Sequence, residues 1–95
     1  MNVKDLPEGS MATVDVGGVH LLLSRIGGEV SAVEGTCTHE ATDLGLGFMI
    51  EDRVVCPLHL SQFDLRTGQV LNPPAEIPLR RFNVQIDGET ILVEV

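Results

Sequence analysis

Both cysteines of the chain stand beside a histidine. Cys37 and His39 form C-x-H within "GTCTHEATDL", residues 35–44, and Cys56 and His59 form C-x-x-H within "VVCPLHLSQFD", residues 54–64. Sixteen residues, 40–55, separate the pairs. A thiolate and an imidazole this close in sequence can project from one tight loop onto one metal or metal cluster. Two such loops supply two sulfur and two nitrogen donors, a soft set suited to zinc or iron–sulfur and not to calcium or magnesium. A lone Cys is ordinarily a small buried hydrophobe; the pairing of every cysteine with a histidine argues against coincidence. The third histidine, His20 in "GVHLLLS", reads as a strand-face residue and not a ligand. No Ser-His-Asp arrangement, phosphate loop or general-acid carboxylate pair is present, so the chain does not read as an enzyme in its own right.

The scaffold that must hold these pairs reads as strands. At 95 residues the chain is one domain, large enough for a modest core. "MATVDV" and "VHLLLSRI" flank Gly17-Gly18, and "EVSAVE" follows Gly27-Gly28, which predicts two tight hairpins. "RFNVQI" alternates Phe82, Val84 and Ile86 with polar residues; Asp87-Gly88 and "ETILVEV" follow, predicting a third. No segment holds a helical period. The fold class is all-β, an antiparallel sandwich or partial barrel with strands from both ends of the chain paired together. Residues 35–75 are rich in Gly, Pro, His and Cys and read as a loop-bearing insertion. The expected division is a base domain of about 1–34 and 76–95 carrying a cofactor-binding subdomain of about 35–75.

Fourteen acidic residues against six basic ones give a formal charge of −8, which excludes a phosphate-binding nucleic-acid partner. The same excess favours a basic patch on another protein, or serves solubility alone. No apolar run reaches signal-peptide or membrane-span length, so a cytoplasmic location and no membrane contact are expected. In that compartment two cysteines suggest metal or redox chemistry more than a structural disulfide.

The C-T-H pair, the sixteen-residue gap, C-P-L-H and the following "SQFDLRTGQVLNPPA" together resemble the Rieske signature. The resemblance is specific over the middle forty or so residues and general over the flanking strands. It implies one [2Fe–2S] cluster, with Cys37 and Cys56 on one iron and His39 and His59 on the other. Two neutral imidazoles in place of thiolates remove negative charge, so the potential lies above that of an all-cysteine cluster. The histidine edge is then the electron exit. Zinc remains the competing metal, but zinc fingers usually segregate cysteines and histidines into separate pairs; here each pair is mixed.

Departures from the respiratory members of the family point to a low-potential ferredoxin. Their two additional, disulfide-forming cysteines are missing, and no membrane anchor is expected. Phe63 stands where they carry a tyrosine whose hydroxyl bonds a ligand sulfur, so the reduced cluster is less stabilised here. Ser61 matches a position that donates to a bridging sulfide, or it satisfies a turn backbone. Leu60 replaces the usual Gly after the second histidine, and Leu58 an often-found Trp before it. With Pro73-Pro74, these leucines form an apolar collar that shields the cluster or docks a partner. Glu40 and Asp43 would give a charged rim. Asp64, Thr67 and Gly68 read as a structural turn, and the "EDR" and "DGE" patches as solvated turns.

The function implied by resemblance to small Rieske ferredoxins is transient one-electron transfer. The donor would be a flavin-dependent ferredoxin reductase and the acceptor the terminal oxygenase of an aromatic-ring dioxygenase system. The alternatives are the Rieske subunit of a larger reductase, such as an assimilatory nitrite reductase, and a zinc-stabilised structural module.

Overall fold

Pairs of glycines set the register of the larger sheet. Strand β1 (Ser10–Val16) turns into β2 (Val19–Ile26) through Gly17 and Gly18, at φ +56° and +80°. Strand β3 (Glu29–Glu34) follows Gly27 and Gly28, at φ +62° and +78°. Positive φ at both central residues is the type I′ geometry that matches strand twist. Both hairpins stand where the sequence expects them. The Glu8 carboxylate accepts from the Gly27 and Gly28 N–H groups at 2.7 and 2.6 Å, which holds its carboxyl below the usual range.

The computed structural model describes every residue of the chain except His39, Glu40, His59 and Pro74. After β3 come β4 (Phe48–Ile50), β5 (Arg53–Val55) and β6 (Gln62–Asp64), then β7 (Arg81–Asp87) and β8 (Thr90–Glu94). The larger sheet has the antiparallel order β1-β2-β3-β7-β8, and the smaller the order β4-β5-β6. The all-β architecture read from the sequence is therefore the observed one. Its helical content among the described residues is two three-residue 3-10 turns, at Val3–Asp5 and Leu44–Leu46. No helix is long and apolar enough to cross a membrane among the described residues.

The third hairpin differs from its sequence reading by one residue. Asp87 pairs with Thr90, so the turn is Gly88-Glu89, not Asp87-Gly88. Gly88 has φ +63° and Glu89 is not left-handed, the type II′ pattern with Gly first. Ile86 shares the alternating face of Phe82, and it is 46 % exposed while Phe82 is buried. Strand β7 pairs with β3 only through Ala32–Phe82 and Val33–Arg81, and beyond them it pairs with β8 alone. The N-terminal segment joins the opposite end of the chain: Val3 N–H donates to the Glu89 carbonyl and Ile91 N–H to the Met1 carbonyl, both at 2.7 Å.

Strand β2 is buried on both faces at its centre. Leu21 and Leu23 face one core with Leu6, Ala32, Phe82 and Ile91. Leu22 faces the other with Val33, Leu44, Val54, Phe63, Leu65 and Leu79, and this second core contains Cys37 and Cys56. Leu22→Ala and Leu23→Ala should each cost about 2–5 kcal/mol in denaturant unfolding. Only Leu22→Ala, on the cysteine side, should also reduce the metal retained per folded chain after gel filtration.

Candidate metal centre

Each cysteine ends a short antiparallel ladder in the same register. Thr36 bridges Asp43, and one step inward the Cys37 N–H donates to the Thr42 carbonyl at 2.8 Å. Val55 pairs with Gln62, and one step inward the Cys56 N–H donates to the Ser61 carbonyl at 2.8 Å. Each hydrogen bond encloses a tip of four residues, 38–41 in one loop and 57–60 in the other. The C-x-H and C-x-x-H spacings thus fall on tips of equal length, with a histidine second in one and third in the other. The expected ligands His39 and His59 lie outside the described residues, as do Glu40 of the expected rim and Pro74 of the expected collar. Among the described residues no group of three or more Cys, His, Asp and Glu is placed to hold a metal ion.

The two thiols share one apolar environment. Cys37 is 3 % and Cys56 0 % exposed, and both belong to the core that contains Phe63 and Leu44. Two soft donors in one buried pocket fit an iron–sulfur group, because thiolates there need a cation to offset lost hydration. A third segment ties the two loops together. Leu71 N–H donates to the Gln62 carbonyl at 2.8 Å and Gln62 N–H to Asn72 Oδ1 at 2.6 Å. Further along, the Thr38 hydroxyl of the first loop donates to the Ile77 carbonyl at 2.5 Å.

Ser61 belongs to this tie. It is fully buried, and its Oγ accepts the Ala75 N–H at 3.1 Å. It satisfies a backbone group, but one fourteen residues on and not in its own turn. Its hydroxyl proton remains available as a donor. Leu60 adopts φ +57°, the left-handed conformation that the usual Gly would take without penalty. A leucine there costs on the order of 1–2 kcal/mol, and the Cys56–Ser61 and Ser61–Ala75 hydrogen bonds hold the residue that follows it. Leu58 and Leu60 of the expected collar are exposed, and Leu71 and Ile77, on the third segment, are exposed apolar residues as well. Phe63 is fully buried in the cysteine core.

Two sequence readings gain partners. Asp43 of the expected rim has partners of its own: its Oδ1 accepts from the Gly45 N–H at 2.8 Å and lies 3.0 Å from His20 Nε2. His20, read as a strand-face residue, is not idle there, since its Nδ1 also lies 2.6 Å from Asp15 Oδ1. The hydrogen bond with Asp43 and then that with Asp15 raise the imidazole pKa above its ordinary value, and His20 and the Gly45 N–H lower that of Asp43. The Asp64–Gly68 turn is structural, as read: Asp64 Oδ1 accepts from the Arg66 and Thr67 N–H groups, and Gly68 takes φ +81°.

Comparison with known proteins places this geometry. The Rieske [2Fe–2S] domain family model matches residues 1–83. The ferredoxin component of biphenyl 2,3-dioxygenase from Rhodococcus jostii (strain RHA1) is 37 % identical over 91 residues, covering 96 % of this chain and 85 % of the relative. The solved ferredoxin of carbazole 1,9a-dioxygenase from Nocardioides aromaticivorans IC177 superposes with a TM-score of 0.91 at 33 % identity, covering 98 % of this chain and 91 % of that one. A structure described as a complex of reduced oxygenase and oxidised ferredoxin in carbazole 1,9a-dioxygenase superposes with a TM-score of 0.90 at 31 % identity, covering 98 % of this chain and 96 % of that one.

Ser61→Ala should strand the Ala75 N–H in a buried position, at a cost of about 1–3 kcal/mol in unfolding free energy. Hydrogen exchange at the Ala75 amide should accelerate in parallel. An unchanged exchange rate would show that Ser61 does not hold the third segment in solution.

Proposed function

The chain belongs to the Rieske [2Fe–2S] domain family, and from that premise we propose that it carries single electrons from a flavin-dependent reductase to the terminal oxygenase of an aromatic-ring dioxygenase system. Its cofactor is one Rieske-type [2Fe–2S] cluster. Cys37 and Cys56 hold one iron and His39 and His59 the other. The observation that carries this reading is the matched pair of hairpin tips, each closed at a buried cysteine. The bound cluster supplies a reversible one-electron couple.

The chain's own residues tune and insulate that couple. Both thiolates are buried in a core of aliphatic side chains and Phe63. Phe63 offers no hydroxyl to a ligand sulfur, and fewer hydrogen bonds to sulfur favour the oxidised form. Neutral imidazoles in place of two thiolates act in the opposite direction, keeping the potential above the all-cysteine range. Leu58 and Leu60, about half exposed on either side of position 59, present an apolar contact at the electron exit. The net charge of −8 suits brief contact with basic partners in the cytoplasm.

The proposed division of labour gives residues 1–34 and 76–95 to the base and 35–75 to cluster binding. The named relatives are matched over nearly their whole length and are described as ferredoxin components or ferredoxins. That supports a separate carrier over a subunit fixed within a larger reductase.

The deciding experiment is electron paramagnetic resonance of the dithionite-reduced protein. A rhombic signal of low average g is expected; zinc without that signal would end the carrier reading. His59→Cys should lower the reduction potential by adding a thiolate charge, and an unchanged potential with an intact cluster would contradict His59 as a ligand. Electron delivery to a dioxygenase terminal oxygenase should slow as ionic strength rises, and salt independence would remove the electrostatic part of docking.

A further inference from the structure

His20 lies at the root of the first cluster loop and outside the ligand set. Its register partner across the Gly17-Gly18 hairpin is Asp15. The ring bridges two carboxylates, with Nδ1 at 2.6 Å from Asp15 Oδ1 and Nε2 at 3.0 Å from Asp43 Oδ1. A neutral imidazole has one N–H, and an ionised carboxylate only accepts. Both contacts therefore exist together only when the ring is an imidazolium.

The ring also abuts both feet of the loop. Gly35 is the foot before Cys37; a Cβ there would come within 2.6 Å of His20 Cδ2 and 3.1 Å of Nε2, so the sequence keeps a glycine against the ring. Gly35 N–H donates to the His20 carbonyl at 2.9 Å, and Leu44 N–H donates to the Gly35 carbonyl at 2.8 Å. Asp43 is the other foot, next to the Thr42 carbonyl that closes the tip.

The charged surroundings of the ring are few. Asp15 faces it from β1 and Asp43 from the loop. Glu34, at the end of β3, sends its carboxylate to the Arg80 N–H at 2.6 Å. Among the described residues no Lys or Arg forms an ion pair with Asp15 or Asp43.

We propose that His20 is a positioning residue for the first cluster loop: as an imidazolium it ties Asp43 to Asp15 and sets a positive charge beneath the loop that favours the reduced cluster. This rests on the cluster reading above. The raised pKa fixes the sign. The clamp is complete below the ordinary imidazole value and is lost as pH rises through the higher value of the folded protein. Loss of the proton removes one of the two contacts and the positive charge together.

The test is the reduction potential of the holoprotein, wild type against His20→Gln, from below to above the imidazole's titration range. Any titration of the ligand histidines is common to both and cancels in the difference. The variant's potential should lie lower at acidic pH, and the gap should close as His20 deprotonates. A gap of constant size, the mark of a purely structural role, overturns the proposal, and so does the absence of a gap. Asp15→Asn, at a carboxylate 74 % exposed, provides a second route should His20→Gln not fold. It should move the break in the wild-type profile to lower pH; an unmoved break overturns the proposal. Nitrogen-detected NMR titration of His20 reads the same clamp without the redox couple. Asp15→Asn and Asp43→Asn should each lower its midpoint, and Asn at position 43 preserves the helix cap. Protein without iron but with a raised His20 midpoint would sink the cluster reading alone. Intact cluster with an ordinary midpoint would sink the clamp alone.

Discussion

The hydrogen bonds that close the two cysteine loops govern the rest of the molecule. Cys37 N–H to the Thr42 carbonyl and Cys56 N–H to the Ser61 carbonyl are ladder bonds, made by the backbone irrespective of side chain. They deliver two thiols to one core, where Leu22, Val33 and Phe63 exclude water. Thiolates in such a place are costly unless a cation neutralises them, and metal binding then contributes directly to stability. The smaller sheet supplies the second loop, while the Gly35 N–H to His20 carbonyl bond roots the first against the larger sheet. The segment through Ala75 and Ile77 stops the two from parting.

Polarity is partitioned around this centre. Asp43, at the foot of the first loop, is held by His20 and the Gly45 N–H. Leucine and isoleucine side chains face outward about the tips instead. Leu60 is informative because it tolerates a left-handed backbone at a cost that Gly would avoid. The local preference of that residue gives way to the surrounding ladder, and an apolar side chain stands exposed there in return.

Much of the fold was legible because its turns are local chemistry. Gly17-Gly18 and Gly27-Gly28 take the positive φ angles that their position between alternating runs implies. The last turn slipped by one residue because Asp-Gly and Gly-Glu both satisfy primed turns, and register against β8, not turn propensity, decides between them. The four-residue metal motif is read from spacing, and of its members the structure describes Cys37 and Cys56, which share one buried core. The role of His20 was only half legible. Counting outward from Gly17-Gly18 pairs it with Asp15, but Asp43 reaches it from twenty-three residues away by tertiary folding that no local pattern encodes. The partner of Ser61 escaped for the same reason, since Ala75 follows a loop without periodicity.

The seam between β3 and β7 has a consequence for how such chains can diverge. Two residue pairs and one flanking bond, Glu34 N–H to the Arg80 carbonyl, close the larger sheet across everything between residues 34 and 80. Loop-closure entropy grows only logarithmically, so doubling the length of that excursion would cost about 0.6 kcal/mol. The sheet is thus nearly indifferent to the length of what it encloses. Insertions between the cysteine loops can reshape the face offered to partners while the strands that support it keep their register.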